Sequence, residues 1–269
     1  MLVAHVSSSS WQAPPAVLIG AALAAALFVQ AFVRLRSRRP DLAPWSRAVL
    51  FGAGLALLVL PLVSPLDHLG DEELLSAHML QHVLIGDAAA ALLVVAVRGP
   101  LLFFLLPPPL LKPLASFRPL RSLLAVLLVP LVSLGIWAVV ILAWHVPAVY
   151  DYAAAHPLVH DLQHLSFVVA GVLVWTQLVD PARHGRLNRP QRVFFALAML
   201  VIAQPLVDLL LFTPPAYDRY VGAHGISAQT DQRLAGAVMM VEQLLTLGIC
   251  VALLLRPYVR ERLRKPAFT

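Results

Sequence analysis

Seven long apolar stretches divide the chain, near residues 14–34, 46–64, 76–97, 122–143, 158–179, 192–213 and 233–255. Each is long enough to cross a hydrocarbon core of about 30 Å, which takes about 20 helical residues. The runs are continuous rather than alternating, so the pattern predicts helices and not a barrel. Each helix would satisfy its own backbone hydrogen bonds in lipid. The expected fold is an all-α integral membrane bundle of seven transmembrane helices. No connection is long enough for a globular domain, so residues 1–269 are read as one unit. The stretch Gly99 to Leu120 carries Pro107, Pro108, Pro109 and Pro113, which break helices. It is expected to lie along the membrane surface.

Composition agrees: 60% of residues are hydrophobic and 13% charged, too little polar surface to cover a water-soluble globule. Orientation follows from the basic residues. Eighteen of the twenty Lys and Arg fall in the connections Arg34 to Arg47, Arg98 to Arg121, Arg183 to Arg192 and Arg256 to Lys265, leaving Arg219 and Arg233 on the opposite side. Basic residues are retained in the cytoplasm, which predicts the N-terminus outside and the C-terminus cytoplasmic. The first stretch has no Lys or Arg before its apolar core, and Arg34, Arg36, Arg38 and Arg39 follow it. It therefore reads as a retained span and not as a secretory signal. A net charge of +6 spread over short cytoplasmic connections argues for anionic lipid contact and against nucleic acid. The single cysteine, Cys250, rules out a disulfide or CxxC motif within the chain and reads as a packing residue.

On this topology nine of the ten histidines lie on the outer side. Two pairs have helical spacing, His78 with His82 and His160 with His164, and each pair occupies one helix face. Gln81 and Gln163 precede the second histidine of each pair, and Ser76 is expected to cap the helix that carries the first. If both pairs lie at one depth, they make a metal site. His145, in Trp144 His145 Val146 Pro147, reads as a further ligand or as support for one. His156 reads as an accessory ligand. Trp144 and Tyr150 read as interfacial aromatics. Imidazole suits copper, zinc, iron and nickel, and Met239 and Met240 would add thioethers if they are more than core filling. Asp87, Asp208 and Glu242 fall inside apolar runs, where a carboxyl is costly unless paired. A polar network or an ion path is expected there. Asp231, with Gln232 and Arg233, is expected to cap its own helix.

Taken in order, His78 Met79 Leu80 Gln81 His82, Trp144 His145 Val146 Pro147 with Tyr150 and Asp151, His160 to His164 with Phe167, and Asp231 Gln232 with Ala235 Gly236 resemble the CtaG-type cytochrome c oxidase assembly factors of bacteria. Arg233 and Met240 depart from that family's pattern. The resemblance implies a multi-pass plasma-membrane protein without catalytic residues that delivers copper to the catalytic subunit of a haem-copper oxidase. A copper donor in the outer compartment would supply it. His78, His82, His145, His160 and His164 are then the candidate ligands, with the acidic loop Asp67 to Glu73 and His68 drawing copper in. A haem clamped by histidines, a zinc-dependent hydrolase and a copper transporter stand as alternatives.

Overall fold

Proline at the first helical position, where the missing N–H leaves no bond unmade, opens several of the helices formed by these apolar runs. The computed structural model describes residues 11–264, with side chains to residue 261, so Lys265 and the first histidine, His5, lie outside the described residues. The main helices are α1 (Pro15–Arg38), α2 (Trp45–Val63), α3 (Leu75–Val97), α4 (Arg118–Leu127), α5 (Pro130–Trp144), α6 (Pro147–Ala155), α7 (Pro157–Val179), α8 (Arg189–Phe212) and α9 (Ala228–Arg264). Short turns Pro65–His68 and Leu69–Glu73 join α2 to α3, and a small hairpin, β1 (Gly222–Ala223) with β2 (Ile226–Ser227), precedes α9. His224 and Gly225 both take positive φ at its tip, as a tight two-residue hairpin turn requires.

Among the described residues six helices are long and apolar enough to cross a membrane, and α4 with α5 makes a seventh only if that bent pair counts as one span. The run expected as a single helix over 122–143 breaks at Leu128 and Val129 and turns by 75°. Pro130 is the cause, since it cannot donate to the preceding turn. The freed carbonyls find side-chain donors: Ser133 Oγ bonds the Leu127 oxygen at 2.7 Å and Gln177 Nε2 the Leu128 oxygen at 3.2 Å. The proline-rich stretch before α4 forms two short helices, Pro100–Phe104 and Pro108–Ser116, the second without a buried residue.

Helix α3 is the centre of the bundle, packed against α2, α7 and α9; α9 also packs on α8, and α5 on α7. One apolar core holds Trp137, Val174, Trp175, Phe195 and Met199, with Cys250 at its edge. A second, nearer the histidines, holds Leu75, Met79, Tyr150, Tyr217 and Met239. Many large apolar side chains point outward instead, among them Leu23, Val29, Phe194, Val201 and Leu245, as a bundle solvated by lipid demands. The basic connections meet at one end, where Arg47 donates to the carbonyl oxygens of Ala96 and Arg98 and the Gly99 N–H to that of Pro181. The described histidines other than His184 lie at the other.

The start of α3 is fixed from across the bundle. Ser76 does not cap it. The carboxylate of Asp231, fully buried on α9, accepts from the Leu75 N–H (2.7 Å), the Ser76 N–H (3.0 Å) and the Ser76 hydroxyl (2.5 Å). Asp231 thus serves α3 rather than its own helix, whose first turn is capped by Ser227 Oγ accepting from the Thr230 N–H at 3.2 Å. Gln232 ties the preceding loop by accepting from the Ala216 N–H at 2.7 Å.

Candidate metal centre

Two glycines let α3 and α7 touch backbone to backbone. A β carbon on Gly171 would fall on the carbonyl oxygen of Gly86, and one on Gly86 would come within 3.0 Å of the Phe167 β carbon. Small residues permit such close approach between membrane helices. At the same place α3 widens into a π turn over Leu84–Ala88. Gly86 lies one turn beyond His82 and Gly171 two turns beyond His164, so this contact sets the distance between the two histidine pairs.

Each of His78, His82, His160 and His164 offers one ring nitrogen to a group lying within 4.8 Å of one another. Ring centroids are 4.2 Å apart within each pair; across the helices they are 5.3 Å apart for His78 with His160 and 5.2 Å for His82 with His164. His78, His82 and His164 are buried and His160 nearly so. Both ring nitrogens of His78, both of His82, and the Nε2 atoms of His160 and His164 have no hydrogen-bond partner. A buried polar atom left unpaired costs about 1–3 kcal/mol, so a cluster of them fits a site built for a ligand. The donor set is imidazole without thiolate, suited to copper, zinc, iron or nickel.

An acid adds to this set. Asp71, on the turn Leu69–Glu73, places Oδ1 3.4 Å from His78 Nδ1 and 3.6 Å from His160 Nε2. Gly70 makes this possible, because a β carbon there would lie 2.9 Å from the His78 α carbon. Burial alone would raise the Asp71 carboxyl, but the adjacent His78 and His160 imidazoles hold it below the ordinary carboxylate range, so it faces the cluster as an anion. Asp67 is pushed up to about 6 by burial and by the nearby Asp71 charge, while its Oδ1 accepts from Gln81 Nε2 at 2.7 Å. Gln81 also donates to the Pro61 oxygen at 3.1 Å; that carbonyl lacks a helical donor because Pro65 stands four residues on. Arg219 clamps the outside of the loop, donating to the Asp71 carbonyl (2.8 Å) and to Glu72 (2.9 Å).

Other expected residues fall elsewhere. His145 is buried but stands outside the four-imidazole group, its Nδ1 2.6 Å from the Ile141 oxygen and its Nε2 3.2 Å from Met79 Sδ. His156 is exposed and stacks on Tyr152, away from the cluster, because the turn before Pro157 carries it outward. Tyr150 is no interfacial anchor: it is buried, and its hydroxyl meets that of Tyr220 at 2.5 Å while Tyr220 also donates to the Gly70 oxygen. Trp144 donates to Ser166 Oγ at 2.8 Å. Of the three acids in apolar runs, Asp87 and Glu242 meet between α3 and α9, with Trp175 Nε1 donating to Asp87. Asp208 does not join them; it is exposed one turn from the end of α8 and accepts from Gln204 at 2.6 Å.

A family model described as cytochrome c oxidase caa3 assembly factor matches residues 26–261, which include every residue of this site. No curated protein and no solved structure matches the chain.

Proposed function

Because the chain belongs to the cytochrome c oxidase caa3 assembly factor family, we propose that it holds a copper ion among His78, His82, His160 and His164 and hands it to the catalytic subunit of the oxidase. This reading rests on four imidazoles, buried or nearly so, whose nitrogens converge without a hydrogen-bond partner among the described residues, two of them at ion-pair distance from Asp71. Copper is the cargo, bound by neutral imidazoles whose ligands can be exchanged one at a time for those of the oxidase. Asp71 orients His78 and His160 and offsets the positive charge of the ion. Rings packed 4.2–5.3 Å apart favour a bare ion over a haem, which needs a slot for its macrocycle. Zinc suits the same donors, and the oxidase partnership favours copper. With the basic connections retained inside, the protein sits in a bacterial plasma membrane and the histidine end faces outward. There a copper donor of the outer compartment would load it. No reaction is assigned to the chain.

The test replaces the native chain in cells with a His78→Gln, His82→Gln variant and measures copper in the isolated oxidase. Changes behind the ligands alone lower metal affinity by about 10–100-fold, so loss of two ligands should lower copper by roughly tenfold at least, with the variant still present in the membrane. Oxidase with its full copper content would reject the reading. Imidazole must lose its proton to bind metal, so copper loading of the purified wild-type chain should be complete at about pH 7.5 and decline at acid pH.

A further inference from the structure

Beneath the four-imidazole cluster, toward the middle of the bundle, lies a cavity of about 40 Å³. That is room for an ion with a water or two, since one water needs about 10–15 Å³. His82 forms part of its roof. His145, Met79 and Met239 line its walls, and Asp87 and Glu242 line it too; no Lys or Arg does.

The contact between His145 and Met79 is chemically odd. The Ile141 oxygen can only accept, so the 2.6 Å contact fixes the His145 proton on Nδ1. That carbonyl needs a side-chain donor because the His145 N–H turns to the Leu142 oxygen instead. Nε2 is left as a bare lone pair, in a residue 6% exposed, aimed at the thioether sulfur of Met79 at 3.2 Å. Two acceptors then face each other with no hydrogen between them. A metal bonded at about 2.0 Å to nitrogen and about 2.3 Å to sulfur would span that separation at a bite angle near a right angle.

We propose that His145 Nε2 and Met79 Sδ, together with Met239, which lines the same cavity, form a second metal site selective for a soft monovalent cation such as Cu(I). Thioether donors select the soft ion. The hydrogen-bonded carboxyls of Asp87 and Glu242 line the same cavity and can balance a bound cation by releasing a proton, in a region where an isolated cation would be costly. This site does not depend on the four-imidazole reading, which needs no sulfur.

X-ray absorption at the copper edge tests it on the full-length chain in detergent, loaded with two equivalents of Cu(I) under reducing conditions. A sulfur shell near about 2.3 Å is expected. Met79→Leu with Met239→Leu, which conserve volume, should remove it, and His160→Gln with His164→Gln, which stand outside the cavity lining, should leave it. Protein grown with selenomethionine keeps the same fold and should exchange the sulfur shell for a selenium one. A first shell of nitrogen alone in the wild type, or a sulfur shell unchanged in Met79→Leu with Met239→Leu, would overturn the proposal. A sulfur shell in a chain whose four histidines bind nothing would uphold it while rejecting the function proposed above.

Discussion

Replacing Gly171 by alanine is expected to be the most damaging single-methyl change in the protein. The added carbon would occupy the position of the Gly86 carbonyl oxygen, and neither partner can yield, because both are helix backbone. Overpacking a close-packed site costs about 1–3 kcal/mol and occasionally more. Here the upper end or beyond is expected, since relief requires α3 and α7 to separate along their length. The histidine pairs would separate with them, so both thermal stability in detergent and copper loading should fall. Gly135→Ala is the control: a β carbon there meets nothing within 4 Å, and helical alanine is favoured over glycine by about 0.5–1 kcal/mol. A Gly171→Ala protein that melts and binds copper like the Gly135→Ala protein would show that the helix contact does not set the site.

Asp231→Ala is expected to have the next largest effect. The carboxylate satisfies two backbone N–H groups and a hydroxyl at the start of α3, all from a fully buried position. Caps contribute up to about 2 kcal/mol and hydrogen bonds to charged groups about 1.5–3 kcal/mol, so a loss of about 2–4 kcal/mol is expected. Asp231→Asn keeps one oxygen acceptor and should lose about half as much. Because the released turn carries His78 on its next residues, copper affinity should fall in parallel. A melting temperature for Asp231→Ala matching the wild type would contradict the assignment of this residue as the cap.

The helical runs and the two histidine pairs were legible because both are periodic features of a single helix. Length and hydropathy place α2, α3, α7 and α8 within a few residues, whereas α9 (Ala228–Arg264) outruns its expected span at both ends; spacing alone puts His78 with His82 and His160 with His164 on one face. What escaped depends on contacts between helices. Gly86 and Gly171 look like tolerated small residues until the two backbones are seen to touch. Asp231 looks like the cap of the helix that contains it, and its true partners lie 156 and 155 residues away. Asp71 could be noticed only as one acid in an acidic loop; it takes Gly70 and the tight turn to press it against His78. Pro130 did carry a local signal, since a proline within an apolar run predicts a break, but hydrophobic length masked it. His145 shares its level with the pairs, yet its ring is turned by the Ile141 carbonyl toward Met79, a direction that spacing does not encode.

If imidazoles from two separate helices share one ion, both pairs are needed to hold it. Copper content of the purified full-length protein, measured for the wild type, for His78→Gln with His82→Gln, and for His160→Gln with His164→Gln, tests this most directly under conditions that load Cu(II) and exclude the thioether site. Removal of either pair alone is expected to abolish tight binding, because neither helix supplies enough ligands by itself. Full copper retained after loss of one pair would mean that the two pairs do not meet at a common ion.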